Sequence, residues 1–197
     1  MLFRSIVRDL LMAGRQPSED ADVEVRELPL DTVRRILIGL GGREIGRSFA
    51  VLQLGRAQFA LPRRERKTGP GHRGFEVQVD PFLPPAEAAA RRDVTINSMA
   101  LDPWSGALFD FHGGRIDLAA GLLRHTSTRF AEDPLRVLRV MQFAARFGFA
   151  VAPATVELCG RIDLGELPRE RIWGEWRKLL LQGDRKSTRL NSSHRIR

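Results

Sequence analysis

The pattern of hydrophobic and polar residues changes its character along the chain. Up to about residue 125, short apolar stretches alternate with polar turns, which predicts strands and helices in mixed order. The predicted strands are residues 20–25, 48–54, 57–61, 75–80 and 107–111, and the predicted helices are 6–12, 32–40, 86–91 and 94–100. From Asp133 onward the pattern is helical to Leu181. A mixed head followed by a helical neck predicts an α+β fold.

Local residues predict where several of these helices begin and end. Asp31 is the expected cap of the helix over 32–40, and Gly41–Gly42 are its expected stop. Asp133 precedes Pro134, a proline suited to the first helical position, and Gly148 is expected to end that helix.

Residues 62–74 (PRRERKTGPGHRG) interrupt the alternation with basic, glycine and proline residues. Such a composition gives no apolar face to bury and favours turns. It predicts a mobile loop between two strands.

Composition narrows the class of protein. With 197 residues and 43% hydrophobic content, the chain can bury one core, or one core with a small helical annex. No apolar run approaches the roughly 20 residues that span a bilayer, and the start does not resemble a signal peptide. Cys159 is the only cysteine, which excludes an internal disulfide framework and a thiolate metal cage and favours a small buried hydrophobe. These features predict a reducing compartment and no membrane.

The net charge of +8 is that of many nucleic-acid-binding domains, but its distribution weakens this interpretation. Residues 184–197 hold five Lys or Arg and one Asp, and Arg4 adds another positive charge near the start. Most of the excess charge therefore lies at the two ends.

Both ends resemble a translated sequencing-library adapter. The tail DRKSTRLNSSH breaks abruptly from the helical pattern at Gly183, and the start reads MLFRS. We therefore predict that residues 1–5 and 184–197 are scars that pack against nothing.

The first candidate motif is Asp20–Ala21–Asp22. On a strand, residues i and i+2 point to the same side, so both carboxylates would face one spot. Two adjacent carboxylates repel each other unless a cation lies between them, and oxygen ligands suit Mg²⁺. The pair alone is a weak signal, because most such pairs are solvated surface residues.

The second candidate motif, Val7–Arg8–Asp9, lies about a dozen residues before the first. The guanidinium of Arg8 could bind a phosphate with two hydrogen bonds. An Arg–Asp pair on a helix surface is the alternative.

The third candidate motif is RRDVTIN at residues 91–97. Arg92 offers a cation for a phosphate, Asp93 an acceptor for a ribose hydroxyl, and Asn97 a neutral hydrogen-bonding group. Asp93 could equally cap a helix.

The fourth candidate motif is EDPLRVLR at residues 132–139. Asp133 and Arg136 are three residues apart, hence neighbours on one helical face, with Arg139 on the next turn. Cytosine and adenine both present an amino donor beside a ring-nitrogen acceptor, which a carboxylate and a guanidinium complement. Guanine and uracil present the reverse pattern. The pair could therefore select C and A without a nucleic-acid template, or it could be a surface salt bridge worth a few tenths of a kcal/mol.

Together these motifs resemble the class II CCA-adding tRNA nucleotidyltransferases and the related bacterial poly(A) polymerases. The resemblance runs through RRDVTINSMALDP, DFHGGRIDLAAGLLRHTSTRFAEDPLRVLRVMQFAARFGF and LPRERIWGEWRKLLL, and covers nearly all of residues 6–183. It implies a nucleotidyltransferase head with a small mixed or antiparallel sheet at residues 6–125, and a truncated helical neck at residues 126–183.

The resemblance also implies an activity and its residues. The activity is the transfer of nucleotidyl groups from CTP and ATP to a tRNA 3′ end, with release of pyrophosphate, by a cytoplasmic enzyme without an obligatory protein partner. The matched residues are Asp20 and Asp22 for Mg²⁺; Arg8, Arg92, Asp93 and Asn97 for the nucleotide; and Asp133, Arg136 and Arg139 for the base. The loop 62–74 matches one linked to the change from C to A addition, and Glu170 to Lys178 a helical motif that braces the neck.

One departure keeps two alternatives open. The family has Gly-Gly where this chain has Arg4 and Ser5, and glycines let a backbone approach a triphosphate closely. The chain also lacks the family's downstream tRNA-binding body. A poly(A) polymerase, or a non-catalytic remnant that binds nucleotide or RNA weakly, are the alternatives.

Overall fold

The computed structural model describes residues 2–3, 5–12, 21–45, 51–67 and 75–182. The strands are β1 (Leu2–Phe3), β2 (Ala21–Glu24), β3 (Arg43–Ile45), β4 (Val51–Leu54), β5 (Ala57–Ala60), β6 (Arg63–Lys67), β7 (Phe75–Val79), β8 (Ala100–Leu101), β9 (Leu108–Phe109), β10 (Leu122–Leu123) and β11 (Ala150–Val151). The helices are α1 (Ser5–Leu11), α2 (Leu30–Gly39), α3 (Pro85–Ala90), α4 (Gly114–Ala119), α5 (Leu135–Phe147), α6 (Pro153–Gly160) and α7 (Arg169–Gln182). Two short 3₁₀ helices lie at Thr95–Asn97 and Thr128–Glu132.

A seven-stranded sheet organises the head, in the order β3-β4-β5-β2-β1-β8-β9. β2 pairs with β5 in parallel, and the other neighbours in this sheet are antiparallel. β6 and β7 form a separate antiparallel hairpin, and β10 pairs with β11. The α+β prediction, with a small mixed sheet in the head, is confirmed.

Two hydrophobic clusters hold this arrangement together. One lies under the head sheet and packs α2 against β4 and the end of β2, through Val25, Val33, Leu37, Leu52 and Leu61. The other joins head to neck and contains Val94, Ile96, Leu123, Phe130, Val140 and Phe143. Residues 93–97 therefore rest on a core that α5 shares, which fixes this segment relative to the neck.

Several boundaries agree with the local signals. The hairpin of β4 and β5 turns at Gly55, and α5 ends at Gly148, which has a φ of +68°. After α2, Gly41 has a φ of +86°, and a Cβ at Gly42 would lie 2.7 Å from the carbonyl oxygen of Leu37. Only glycine fits both demands without strain, so the predicted stop is confirmed.

Other expectations were wrong. α2 begins at Leu30 after Pro29, so Asp31 lies in the first turn and is not the cap. Arg63–Lys67 is strand β6, because it pairs along its whole length with β7; residues 68–74 of the predicted loop lie outside the described part. Residues 94–100 contain a single 3₁₀ turn rather than a helix.

The helical neck and the start of the chain need correction as well. β11 interrupts the helices after Asp133 and pairs with β10 of the preceding segment. Leu2 and Phe3 were expected to pack against nothing, but they form β1 between β2 and β8. Arg4 and the tail 184–197 lie outside the described residues.

Candidate functional site

Arg8 lies buried in α1, with 5% of its surface exposed. Its Nε and Nη2 donate to Oδ1 of Asp9 at 2.8 and 2.6 Å, and its Nη1 donates to Oδ1 of Asn97 at 2.6 Å. The guanidinium also lies over the ring of Phe147, 4.8 Å from its centre. In this conformation Arg8 serves to orient Asn97, and a direct contact with a phosphate stays a prediction.

Asp93 is the buried acceptor at the centre of the site. Its Oδ1 accepts from the Val94 amide at 2.8 Å and from Nδ2 of Asn97 at 3.0 Å. Its Oδ2 accepts from Nε and Nη2 of Arg139 at 2.8 and 2.7 Å. Burial alone raises the pKa of Asp93, but the charge of Arg139 and these hydrogen bonds more than offset it, so the pKa lies below its ordinary value.

Arg139 of α5 lies between Asp93 in the head and Glu175 in α7, and contacts both. Burial tends to lower its pKa, but Asp93 and Glu175 outweigh that effect and raise it above the ordinary value. Its Nη1 lies 3.8 Å from Oε1 of Glu175, which in turn accepts from Nζ of Lys178 at 2.7 Å. A continuous set of polar contacts thus links α1, the 93–97 segment, α5 and α7.

Residues 110–117 support the 93–97 segment through hydrogen bonds and close packing. Oδ1 and Oδ2 of Asp110 accept from the amides of Gly114 and Arg115, at the start of α4. Asp117, buried in that helix, accepts from Oγ1 of Thr95 at 2.7 Å. A Cβ at Gly114 would lie 2.4 Å from the Thr95 carbonyl oxygen, so α4 approaches as closely as a glycine permits. The DFHGGRIDL stretch is therefore a support for the site.

Asp133 and Arg136 lie at the start of α5 and have different partners. Asp133 accepts from Nη2 of Arg171, 2.9 Å from Oδ2 and 3.2 Å from Oδ1. Arg136 donates to the carbonyl oxygens of Arg129 at 2.5 Å and Arg91 at 2.7 Å. Neither bond is the i,i+3 salt bridge that the spacing alone would allow.

The acidic side of the site lies on β2. Asp22 is half-buried, and Glu24, on the same side of the strand, is 5% exposed. Glu24 pairs with Arg26 at 2.8 Å, and Nη2 of Arg92 lies 3.5 Å from its Oε2. The structure therefore brings Arg92 to the Asp22 side of the sheet. Asp20 lies outside the described residues, and among those described no group of three His, Cys, Asp or Glu residues is placed to hold a metal.

Four residues outside the predicted site set shape this geometry. Asp9 lies in the second candidate motif, and Arg171 and Glu175 lie in the Glu170 to Lys178 segment that the resemblance links to bracing of the neck. Glu24 lies in none of the motifs. Glu175 had a detectable signal, because a charged residue at an inward position of an amphipathic helix needs a buried partner. The local sequence around Arg171 and Glu24 did not indicate their partners Asp133 and Arg92, because these partners lie far away in the chain.

Comparison with known proteins identifies the family. The model of the poly A polymerase head domain matches residues 5–124. The chain belongs to this family. Two curated relatives, the multifunctional CCA proteins of Nitrosococcus oceani and Nitrosomonas europaea, are 44% identical over 180 residues and 47% identical over 176 residues. These alignments cover 88% and 86% of this chain, but only 43% and 41% of the relatives. The chain thus spans less than half of the length of these relatives.

Two solved structures with the same fold are those of CCA-adding enzymes. The Thermotoga maritima enzyme complexed with tRNA superposes with a TM-score of 0.71 at 28% identity, over 95% of this chain and 44% of the other. The Bacillus stearothermophilus enzyme in complex with CTP gives a TM-score of 0.74 at 26% identity, over 91% of this chain and 44% of the other. In the part of the chain that the structure describes, no helix is long and apolar enough to cross a membrane.

Proposed function

We propose that this chain is the catalytic head and first part of the neck of a tRNA nucleotidyltransferase. The reaction is addition of C and A to the tRNA 3′ end from CTP and ATP, without a nucleic-acid template and with release of pyrophosphate. The observation that carries the proposal is the buried network in which Arg8, Asn97, Asp93 and Arg139 meet. Residues from three candidate motifs converge there, which a set of unrelated surface pairs would not do.

Within this network, Asp93 and Asn97 are the proposed ribose-contacting groups. Asp93 is held ionised, because its pKa is lowered, and an ionised carboxylate accepts strongly from a hydroxyl. Arg8 donates to Asn97 and Arg139 donates to Asp93, so the orientation of both side chains is set before a nucleotide arrives. Arg92, beside Glu24 and on the Asp22 side of β2, is the proposed phosphate contact.

Base selection is assigned to the start of α5. Asp133 is one-third exposed and shares its carboxylate with Arg171, so the amino group of C or A can compete for an oxygen. Arg136 is tied to two backbone carbonyls and would donate to the ring nitrogen with a remaining N–H. Arg139 lies one turn further along and links this face to Asp93.

The metal site is assigned to Asp20 and Asp22. The oxygen donors fit Mg²⁺, and Asp22 lies half-buried on the central strand β2, on the same side of the strand as Glu24. A bound ion would stabilise negative charge on the α-phosphate and on the leaving pyrophosphate. The role of Asp22 is to present its carboxylate from a strand paired on both sides.

Two alternatives follow from the comparisons. The family model is named for poly A polymerase, which would use ATP alone. The chain spans less than half of its relatives, so a remnant that binds nucleotide without transferring it is the other alternative. In every case we propose a cytoplasmic protein, since a similar solved structure, that of the Thermotoga maritima enzyme, is complexed with tRNA.

The test is incorporation by the purified chain onto tRNA that ends before its CCA, with each of the four triphosphates and Mg²⁺. Stepwise addition of C and then A supports the proposal, and a run of A residues from ATP alone supports the polymerase alternative. In parallel, equilibrium binding of CTP and ATP is compared with that of GTP and UTP. Selective binding without transfer supports the remnant, and equal binding of all four would contradict base selection at α5.

A further inference from the structure

Gln142 and Glu175 each hold a buried polar atom that has no hydrogen-bond partner among the described residues. Gln142 is 2% exposed on α5, and Glu175 is 4% exposed on α7. The unpaired atoms are Nε2 of Gln142, a donor, and Oε2 of Glu175, an acceptor, and both are sealed from solvent. An unpaired buried group costs free energy, and a charged one costs more than a neutral one. A donor and an acceptor in this state therefore indicate a shared partner.

The two residues line the same cavity. The other residues of its wall are apolar and come from the same two helices: Leu138, Met141, Trp176 and Leu179. The volume open to the centre of a water molecule is about 10 Å³, which is room for a single water. Since every lining residue belongs to α5 or α7, the packing of these two helices forms the cavity.

We propose that the Gln142 amide and the Glu175 carboxylate bind one buried water molecule between α5 and α7. The chemistry of the two groups selects this ligand. With the amide in its present orientation, an anion would face the Glu175 carboxylate, and a cation would face the Gln142 N–H. A water molecule accepts from Nε2 and donates to Oε2, so it satisfies both groups, and two polar partners are enough to retain it.

The water completes the hydrogen bonding of Glu175. The other carboxylate oxygen, Oε1, accepts from Nζ of Lys178 at 2.7 Å and lies 3.8 Å from Nη1 of Arg139. With Oε2 bound through the water to α5, the carboxylate is held at both oxygens and its charge stays beside Arg139. The water thus fixes α7 on α5 through a polar contact within an otherwise apolar wall.

The direct test is a crystal structure of the full chain at a resolution that shows ordered water. The expected result is one water within hydrogen-bonding distance of both Gln142 Nε2 and Glu175 Oε2. A direct hydrogen bond between the two side chains, a metal ion in the cavity, or an empty cavity would each overturn the proposal.

Substitution of Gln142 tests the proposal in solution, because a hydrated cavity and a dry one predict different signs. Methionine has nearly the length of glutamine but no donor. With the water present, Gln142→Met should raise the unfolding equilibrium constant about tenfold, since the water loses one of its two partners and Glu175 loses its donor. In a dry cavity the same change removes an unpaired donor from apolar surroundings, so an unchanged or lowered constant would contradict the proposal. Urea denaturation measures the constant.

Two further variants assign the effect to this pair. In a Glu175→Met background the acceptor is absent, so adding Gln142→Met should change the unfolding constant by less than about twofold. Gln142→Arg has a longer side chain that places a guanidinium about where the water lies, and it should return the constant to within about threefold of the unmodified chain. A tenfold effect that persists without Glu175, or a Gln142→Arg variant as unstable as Gln142→Met, would overturn the proposal. These measurements are independent of the proposed catalytic function.

Discussion

Two aspartate–arginine pairs hold the neck helices in place, and they differ in almost every physical respect. Asp93–Arg139 joins the head to α5, whereas Asp133–Arg171 joins the start of α5 to α7. Asp93 is 7% exposed and accepts from two nitrogens of Arg139 as well as from Asn97 and Val94. Asp133 has a side chain that is 33% exposed and accepts from one nitrogen of Arg171 and from the Leu135 amide.

The difference separates a fixed acceptor from an exchangeable one. A buried carboxylate that accepts from several donors cannot leave its partners without a large desolvation cost. A half-exposed carboxylate can exchange an arginine for water or for a ligand at little cost. Asp93 is thus suited to contact the ribose, which is the same in every nucleotide. Asp133 is suited to contact the base, which differs between nucleotides.

The largest expected effect is the loss of the partner of Asp93. Arg139→Met should lower the free energy of unfolding by about 2–4 kcal/mol, because it leaves a buried charge without its main partner. The expected loss of unfolding free energy is smaller than for a fully buried ion pair, because one-third of the Arg139 side chain is exposed. Urea denaturation measures it. The matched control, Arg171→Met, should cost about 0–1 kcal/mol, and equal losses in the two variants would contradict the comparison.

A second prediction concerns the rigidity of the segment that carries Asp93. Gly114→Ala should destabilise the chain by about 1–3 kcal/mol, because the new Cβ would lie 2.4 Å from the Thr95 carbonyl oxygen. Thermal or urea unfolding gives the change. Gly160→Ala, at the end of α6 with nothing within 4 Å of its Cβ position, should be neutral or slightly stabilising. Unchanged stability of the Gly114→Ala variant would mean that α4 does not support the site.

A third prediction uses pH. Since the pKa of Asp93 is lowered in the folded chain, its ionised form contributes stability that is complete above the ordinary carboxyl pKa of about 4. That contribution is lost as the pH falls through the lower folded value. The difference in unfolding free energy between the unmodified chain and Asp93→Asn should therefore shrink below about pH 4. A difference that stays constant from pH 6 to pH 3 would show that Asp93 has no such shift.

The smallest effect on stability is expected at Asp133. Asp133→Ala should change the unfolding free energy by about 0–1 kcal/mol, yet reduce the preference for CTP and ATP over UTP and GTP in the binding assay. Each lost hydrogen bond to a correct base would cost about 1–3 kcal/mol. Asp163→Ala, at an exposed turn before α7, is the control for both readouts. Unchanged selectivity with normal folding would remove the base-reading role from the start of α5.

The sequence predicted those features that depend on neighbours along the chain. The stop of α5 at Gly148 and the β4–β5 hairpin follow from residues within one turn of the feature. The motif residues could also be named from the sequence, because their chemistry and spacing point to a nucleotide and a metal. Arg8, Asp93, Asn97 and Arg139 proved to lie together, while the metal pair stays a prediction because Asp20 lies outside the described residues.

Tertiary structure alone decided which of these residues meet. The spacing of α5 places Asp133, Arg136 and Arg139 on neighbouring turns, but it does not say that Arg139 pairs with Asp93, 46 residues earlier. Leu2 and Phe3 show no periodicity, yet they form a strand because β2 and β8 offer hydrogen-bonding partners on both sides. Local sequence fixes backbone conformation through sterics and short-range hydrogen bonds, whereas partners across the fold are fixed only when the shared core packs the segments together.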